Sequence, residues 1–398
     1  MQYIKRKKYL ERIVPFIDKQ LIKVLTGLRR SGKSFLLFQI MDYIKQQHPE
    51  ANIIYINKED LSFDHLKTYS QLYQYVKSQS AEELNYVFVD EVQDIEQFEK
   101  ALRSLLSEGY DIYITGSNSK LLSGDLATYL SGRYVEFNIH PLSYPEYLFF
   151  HGLEDSDEAL EQYMKYGGMP MLIHLEKNDT VIYDYLQNLY NTVFFKDIVT
   201  RYRVRQTAFL SDLIKFLASN VGSLLSASSI AKYLKSQNIK VSTDVVLNYI
   251  KYLASAFVVR KVNRIDLEGK KIFEVNQKVY FEEIGVRNSI TGYSQRDIHK
   301  LIENVIFNHL LFNGYTVYVG QGRDYEIDFV AEKMNERIYV QATYLLSDEA
   351  TIEREFGNLL KIEDNYPKYV VSLDPLQASN TYKGIKSLHL RDFLLLDL

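Results

Sequence analysis

Residues 27–34 read Gly-Leu-Arg-Arg-Ser-Gly-Lys-Ser, a complete match to G-x-x-x-x-G-K-[ST], the spacing of a loop that cradles phosphate. The glycines let the backbone curl, so that the N–H groups running from Gly27 through Leu28, Arg29, Arg30, Ser31 and Gly32 turn inward at phosphate oxygens. A helix that starts at the end of the loop adds partial positive charge there. Lys33 is then placed for the β- and γ-phosphates of ATP, and the Ser34 hydroxyl for Mg²⁺. The flanks suit this role: the apolar run Leu21–Thr26 reads as a buried strand and Ser34–Met41 as a helix, which is the strand–loop–helix context the motif requires.

Cradled phosphate is not hydrolysed without a managed metal and water. Residues 86–91 read Tyr-Val-Phe-Val-Asp-Glu. The apolar run suits a central parallel strand buried on both faces, and its two acids fall at the C-terminal edge, where open α/β sheets place ligands. Asp90 is the candidate to hold Mg²⁺ through water, and Glu91 the candidate general base on the attacking water. A third strand, Asp111–Thr115, ends in Gly116-Ser117-Asn118-Ser119. Ser117 and Asn118 are both candidates to contact the γ-phosphate and the water; a turn that serves geometry alone is the alternative. Arg133, before the β-like run Tyr134–Ile139, is a candidate to stabilise transition-state charge, in its own subunit or a neighbour's; a surface arginine is the alternative.

These side chains need a sheet to hold them. Strand patterns at 21–26, 52–56, 85–89, 111–115 and 134–139 alternate with helical ones, predicting an α/β domain over 1–145 with a five-stranded parallel sheet. Residues 146–220 read as a helical lid or linker. Over 221–290 the order is helix, turn, helix, hairpin, the outline of a winged helix. Its lysines 232, 235, 240, 251, 270 and 271 are candidates for DNA phosphates, although the apolar Val245–Leu247 and Tyr249–Ile250 leave little of the second helix free to read bases. A chain of 398 residues is too long for one ordinary core. The absence of cysteine excludes disulfides, thiol catalysis and cysteine-bound zinc, and accords with a cytoplasmic setting. No apolar run reaches membrane-spanning length. The basic Met1–Lys8 segment precedes an amphipathic stretch rather than a signal-peptide core. A net charge of −4 argues against a generally basic nucleic-acid binder and leaves local patches.

Residues 291–398 return to an α/β pattern. A helix carries Glu303, one strand carries Asp328, and the next reads Gln341-Ala342-Thr343. This order resembles the restriction-endonuclease-like core, in which a helix glutamate, a strand aspartate and a Glu-x-Lys gather Mg²⁺ and water. Glu303 and Asp328 match. Gln341 and Thr343 depart from Glu-x-Lys, so the expectation is a nuclease-like fold without cleavage; Lys361 is the one lysine weighed as a substitute.

The loop Gly27–Ser34, the strand Tyr86–Glu91, the segment Thr115–Leu122, Ser131–Tyr134, Pro141–Ser143, Tyr166–Pro170, Lys196–Ile198 and Lys278–Phe281 together resemble the prokaryotic AAA-type ATPases that carry a C-terminal domain of unassigned function. The resemblance spans nearly the whole chain. It implies an AAA core, a winged helix, a restriction-endonuclease-like C-terminal domain, and an ATP site completed by a neighbour's arginine in an oligomer, with Arg133, Arg201 and Arg203 as candidates. The leading expectation is Mg²⁺-dependent ATP hydrolysis coupled to binding or remodelling of DNA, branched DNA included. A nucleotide-dependent switch that binds a partner protein is the second expectation, and an ATP-dependent nuclease the third.

Overall fold

The computed structural model describes residues 3–82, 84–119, 130–237, 239, 241–269, 272–346, 349–375 and 381–398. The lysines 240, 270 and 271 and the segment Lys120–Leu122 lie outside the described residues. The chain divides into two compact units, residues 1–140 with 255–257, and 141–254 with 258–398.

The first unit holds strands β1 (Ile22–Thr26), β2 (Asn52–Asn57), β3 (Asn85–Asp90), β4 (Asp111–Gly116) and β5 (Tyr134–Asn138). Every pairing is parallel, in the order β2-β3-β4-β1-β5. The five-stranded parallel sheet expected from the pattern is present. β1 and β4 are buried along their whole length and β3 nearly so, as central strands covered on both faces must be. Ile22, Val24, Val87, Val89, Ile112 and Ile114 make one face and pack with Leu72, Val76, Leu102 and Leu105. Those partners come from the helices Tyr69–Gln79 and Phe98–Ser107. The first of these helices is started by a capping box in which the Thr68 hydroxyl accepts from the Gln71 N–H and Gln71 returns the contact, satisfying two N–H groups that a helix end otherwise leaves open. At the N-terminal edge the fully buried Lys23 donates to Asp111 and to the Leu21 carbonyl at 2.9 Å, which removes the cost of burying its charge alone.

The second unit is helical to residue 219 and then builds one sheet from β6 (Leu224–Leu225), β7 (Val259–Asp266), β8 (Ile272–Phe281), β9 (Thr316–Gln321), β10 (Glu326–Lys333), β11 (Glu336–Ala342), β12 (Lys368–Ser372), β13 (Thr381–Tyr382) and β14 (Ile385–His389). Their order is β13-β14-β12-β11-β10-β9-β7-β8-β6. β6 pairs with β8, and the helices Ala227–Ser236 and Thr243–Ser255 lie between them in sequence. Residues 290/291, the expected boundary, lie in the helix Ile284–Thr291, between β8 and β9 of this sheet. β7 pairs in parallel with β9 through Arg264↔Val319 and Ile265↔Gly320, so the hairpin and the C-terminal strands share backbone hydrogen bonds. Helix Glu349–Leu360 packs on this sheet with Phe356 and Leu359 against Ile327, Val330, Tyr339 and Val370. Among the described residues no helix is long and apolar enough to cross a membrane.

Candidate active site

Parallel pairing brings the C-terminal ends of β1, β3 and β4 to one edge of the first sheet, and the candidate residues collect there. Gly27 has φ +146°, and a Cβ on it would lie 2.1 Å from the Ile139 carbonyl oxygen. Only glycine allows the loop to pass this close to the chain leaving β5. Gly32 has φ +97° and starts the helix Lys33–Gln47. The first-turn N–H groups of that helix have no carbonyl one turn back and face the loop.

Lys33 is buried and donates to the Gly27 and Leu28 carbonyls, both at 3.0 Å. Burial pushes its ammonium pKa below the usual lysine range, against the opposing pull of the Glu91 and Asp90 charges. Asp90 is pushed up by burial, while hydrogen bonds from Ser34 and Thr115 work the other way. The two residues expected to hold Mg²⁺, Ser34 and Asp90, are thus hydrogen-bonded to each other. Burial also acts upward on Glu91, but the Lys33 charge and hydrogen bonds from Gln93 and Ser117 outweigh it, so its carboxylate sits below the usual range and stays ionised at neutral pH. Ser117 Oγ donates to Glu91 Oε2 at 3.1 Å. Glu91 itself adopts φ +55°, a conformation a non-glycine residue holds only when its surroundings over-determine it.

The surroundings that do so include residues sequence reasoning passed over. Thr115 is fully buried. Its hydroxyl accepts from the Glu91 N–H at 2.9 Å and donates to Asp90 Oδ1, tying both acids to β4. A polar residue one position before the Gly116 turn was the available signal. Gln93 holds the other side of Glu91 Oε2. Arg6, from the basic N-terminal run, is buried and donates from Nη1 to the Ser31 carbonyl at 3.1 Å and to the His140 carbonyl at 2.9 Å, bracing the phosphate loop.

The remaining candidates are placed as follows. Leu28 and Ser31 are buried in the loop, Arg29 is half-buried with Glu59 at 3.5 Å, and Arg30 is exposed. Asn118 is buried directly after Ser117. Arg133 is not brought to the site. It is exposed, and its carbonyl accepts from Ile22 N at 2.8 Å, at the N-terminal end of β1. The five residues of β1 separate it from the loop by roughly 15 Å at about 3.3 Å per residue. This placement favours the alternatives in which Arg133 serves a neighbour's site or the surface. Arg201 belongs to the second unit and pairs with Asp197 at 3.3 Å.

Mg²⁺ and ATP phosphates fit the residues present. The Ser31 hydroxyl is buried with no partner among the described atoms, the desolvated Lys33 lacks full compensation for its charge, and Ser34 and Asp90 face each other as a hydroxyl–carboxylate donor pair for a hard cation.

A parallel sheet with a phosphate loop after β1 and paired acids at the end of β3 is the arrangement of P-loop ATPases of the AAA type. Residues 19–148 match the family model described as an AAA domain, and residues 157–297 one described as a domain of unknown function. The fold is similar to that of a Walker-type ATPase of Pyrococcus abyssi, with TM-score 0.52 and 15% identity over 72% of this chain and 96% of that one. The chain belongs to the same family as an uncharacterized protein of Haemophilus influenzae, to which it is 36% identical over 98% of both chains. An uncharacterized protein of Methanocaldococcus jannaschii is 29% identical over 84% of this chain and 77% of its own length.

Proposed function

We propose that the chain binds ATP with Mg²⁺ at the edge of the five-stranded sheet, hydrolyses it, and works as a homo-oligomer on nucleic acid held by its second unit. The observation that supports hydrolysis is the arrangement of Glu91: an ionised carboxylate fixed by Ser117, Gln93 and the Thr115 contact to its N–H. Lys33 binds the β- and γ-phosphates. Ser34 and Asp90 would hold Mg²⁺, which would supply charge neutralisation to the phosphate oxygens. Glu91 orients a water and takes its proton as the water oxygen bonds to the γ-phosphorus and the bond to the β-phosphate oxygen breaks, leaving ADP and phosphate. Glu91→Gln should keep ATP binding and lose turnover, read as nucleotide affinity beside phosphate release. Wild-type turnover in that variant would remove Glu91 as the base.

The second unit supports a nucleic-acid partner through the order helix, β6, helix, helix, β7, β8, which we read as a winged helix. Along the helix Thr243–Ser255, Asp244, Leu247, Asn248 and Lys251 are exposed at helical spacing, and Lys232 and Lys235 are exposed on the helix before it. Asn248 and Lys251 suit base and phosphate contacts. The acid and the leucine on the same face, with the net charge of −4, favour the second reading, a partner protein. ATPase rates with single-stranded, duplex and branched DNA separate the two. Stimulation that Lys251→Glu removes supports nucleic acid, and indifference to all three forms sinks it.

A further inference from the structure

The acids that match a nuclease metal site are already occupied by a side chain. Lys278, on β8, is buried and donates to Asp328 Oδ1 at 3.2 Å and to Glu303 Oε2 at 3.4 Å, with Glu326 Oε1 at 3.0 Å. Glu303 stands on the helix Ile298–Phe312, and Glu326 and Asp328 on β10. Two of these carboxylates also accept from the chain itself. Tyr280 donates to Glu303 at 2.9 Å, and the Ala342 N–H donates to Asp328 Oδ2 at 2.9 Å. Gly222 closes on Glu303 so nearly that a Cβ would lie 2.7 Å from Oε2.

We infer that the Lys278 ammonium is the resident cation of this cluster, standing where a nuclease would bind a divalent metal, so that the domain takes no metal there. The lysine lost at Thr343 and the carboxylate lost at Gln341 are explained together. Thr343 is buried and pairs through its backbone N–H with the Val371 carbonyl at 3.0 Å, and the Gln341 Oε1 accepts from the Asp328 N–H at 3.3 Å, so the Gln341 oxygen is engaged by the chain itself. Lys361 does not substitute, because it pairs with Asp324 at 3.4 Å. Lys278 arrives from the hairpin, on the strand that only tertiary pairing brings beside the C-terminal core. Buried carboxylates without that charge would be strongly destabilising.

A divalent ion beside a fixed ammonium about 4 Å away is repelled electrostatically, so removing the ammonium should tighten binding at least about a hundredfold. The inference does not depend on the ATPase reading. The test is Mn²⁺ binding to the full, nucleotide-free chain, read by electron paramagnetic resonance, in an Asp90→Asn background that silences the other cation site. The parent should show no Mn²⁺ that Asp328→Asn abolishes. Lys278→Met should gain one, and lose it again with Asp328→Asn. Mn²⁺ on the parent that depends on Asp328 overturns the inference, as does a folded Lys278→Met chain that gains none. Should Lys278→Met fail to fold, Lys278→Arg decides: folded without Mn²⁺ supports the inference, and Asp328-dependent Mn²⁺ overturns it.

Discussion

Replacing Thr115 by valine keeps a β-branched shape on a central strand and removes one oxygen. That oxygen makes two contacts, accepting from the Glu91 N–H at 2.9 Å and donating to Asp90 Oδ1. Leaving the buried N–H unpaired costs about 1–3 kcal/mol, and losing a hydrogen bond to a carboxylate about 1.5–3 kcal/mol. The two share an atom and do not simply add, so the first unit should lose about 2–4 kcal/mol of stability. Turnover should fall as well. The Asp90 carboxyl loses one of the contacts that hold its pKa down, and Glu91 loses the anchor of its left-handed backbone. An effect of about 1.4–2.8 kcal/mol on the barrier is a 10–100-fold loss of rate. Thr115→Ser retains the hydroxyl and should recover most of both. Phosphate release and urea unfolding of the three chains measure the two effects. A Thr115→Val chain with wild-type turnover and an unchanged urea midpoint would refute the role given to this hydroxyl.

Other outcomes follow from the same geometry. If Arg133 completes a neighbour's site, mixing Lys33→Ala with Arg133→Ala chains should restore part of the hydrolysis that each lacks alone; an Arg133→Ala chain with full turnover moves attention to Arg201 and Arg203. Single-stranded, duplex and branched DNA incubated with Mg²⁺ or Mn²⁺ should remain uncut, and cleavage lost in Asp328→Ala with ATPase activity intact would reverse that expectation. Burial lifts the Glu283 carboxyl to about 8, against hydrogen bonds from the Gly285 and Gly168 N–H groups to Oε1 at 2.9 and 3.1 Å. The folded state then binds a proton that the unfolded chain releases near pH 4.5, so this contribution is full at low pH and falls as pH rises toward 8. Glu283→Gln should show a flatter decline in urea midpoint from pH 5 to 8.5 than wild type, and equal slopes would contradict the assignment.

The chemistry of the first unit was legible because it is local. Phosphate binding needs eight consecutive residues, Gly27–Ser34, and metal and water handling need two adjacent acids, Asp90 and Glu91, so spacing along the chain is itself the geometry. The five strands could be counted from their apolar runs for the same reason. What the sequence left open is what depends on register between distant strands. Thr115 reaches Asp90 and Glu91 only because β4 lies between β1 and β3. Arg133 could be placed by type and not by position, and the sheet puts it at the edge away from the loop. In the second unit the helix and strand acids Glu303 and Asp328 were visible, and so was the loss of Glu-x-Lys. Their partner Lys278 was visible only as part of the segment Lys278–Phe281 that carries the resemblance, because its meaning depends on β7 pairing with β9 and carrying β8 alongside. Short-range pattern determines which groups a chain offers. Only long-range pairing, which no local spacing encodes, decides which charge each of them meets.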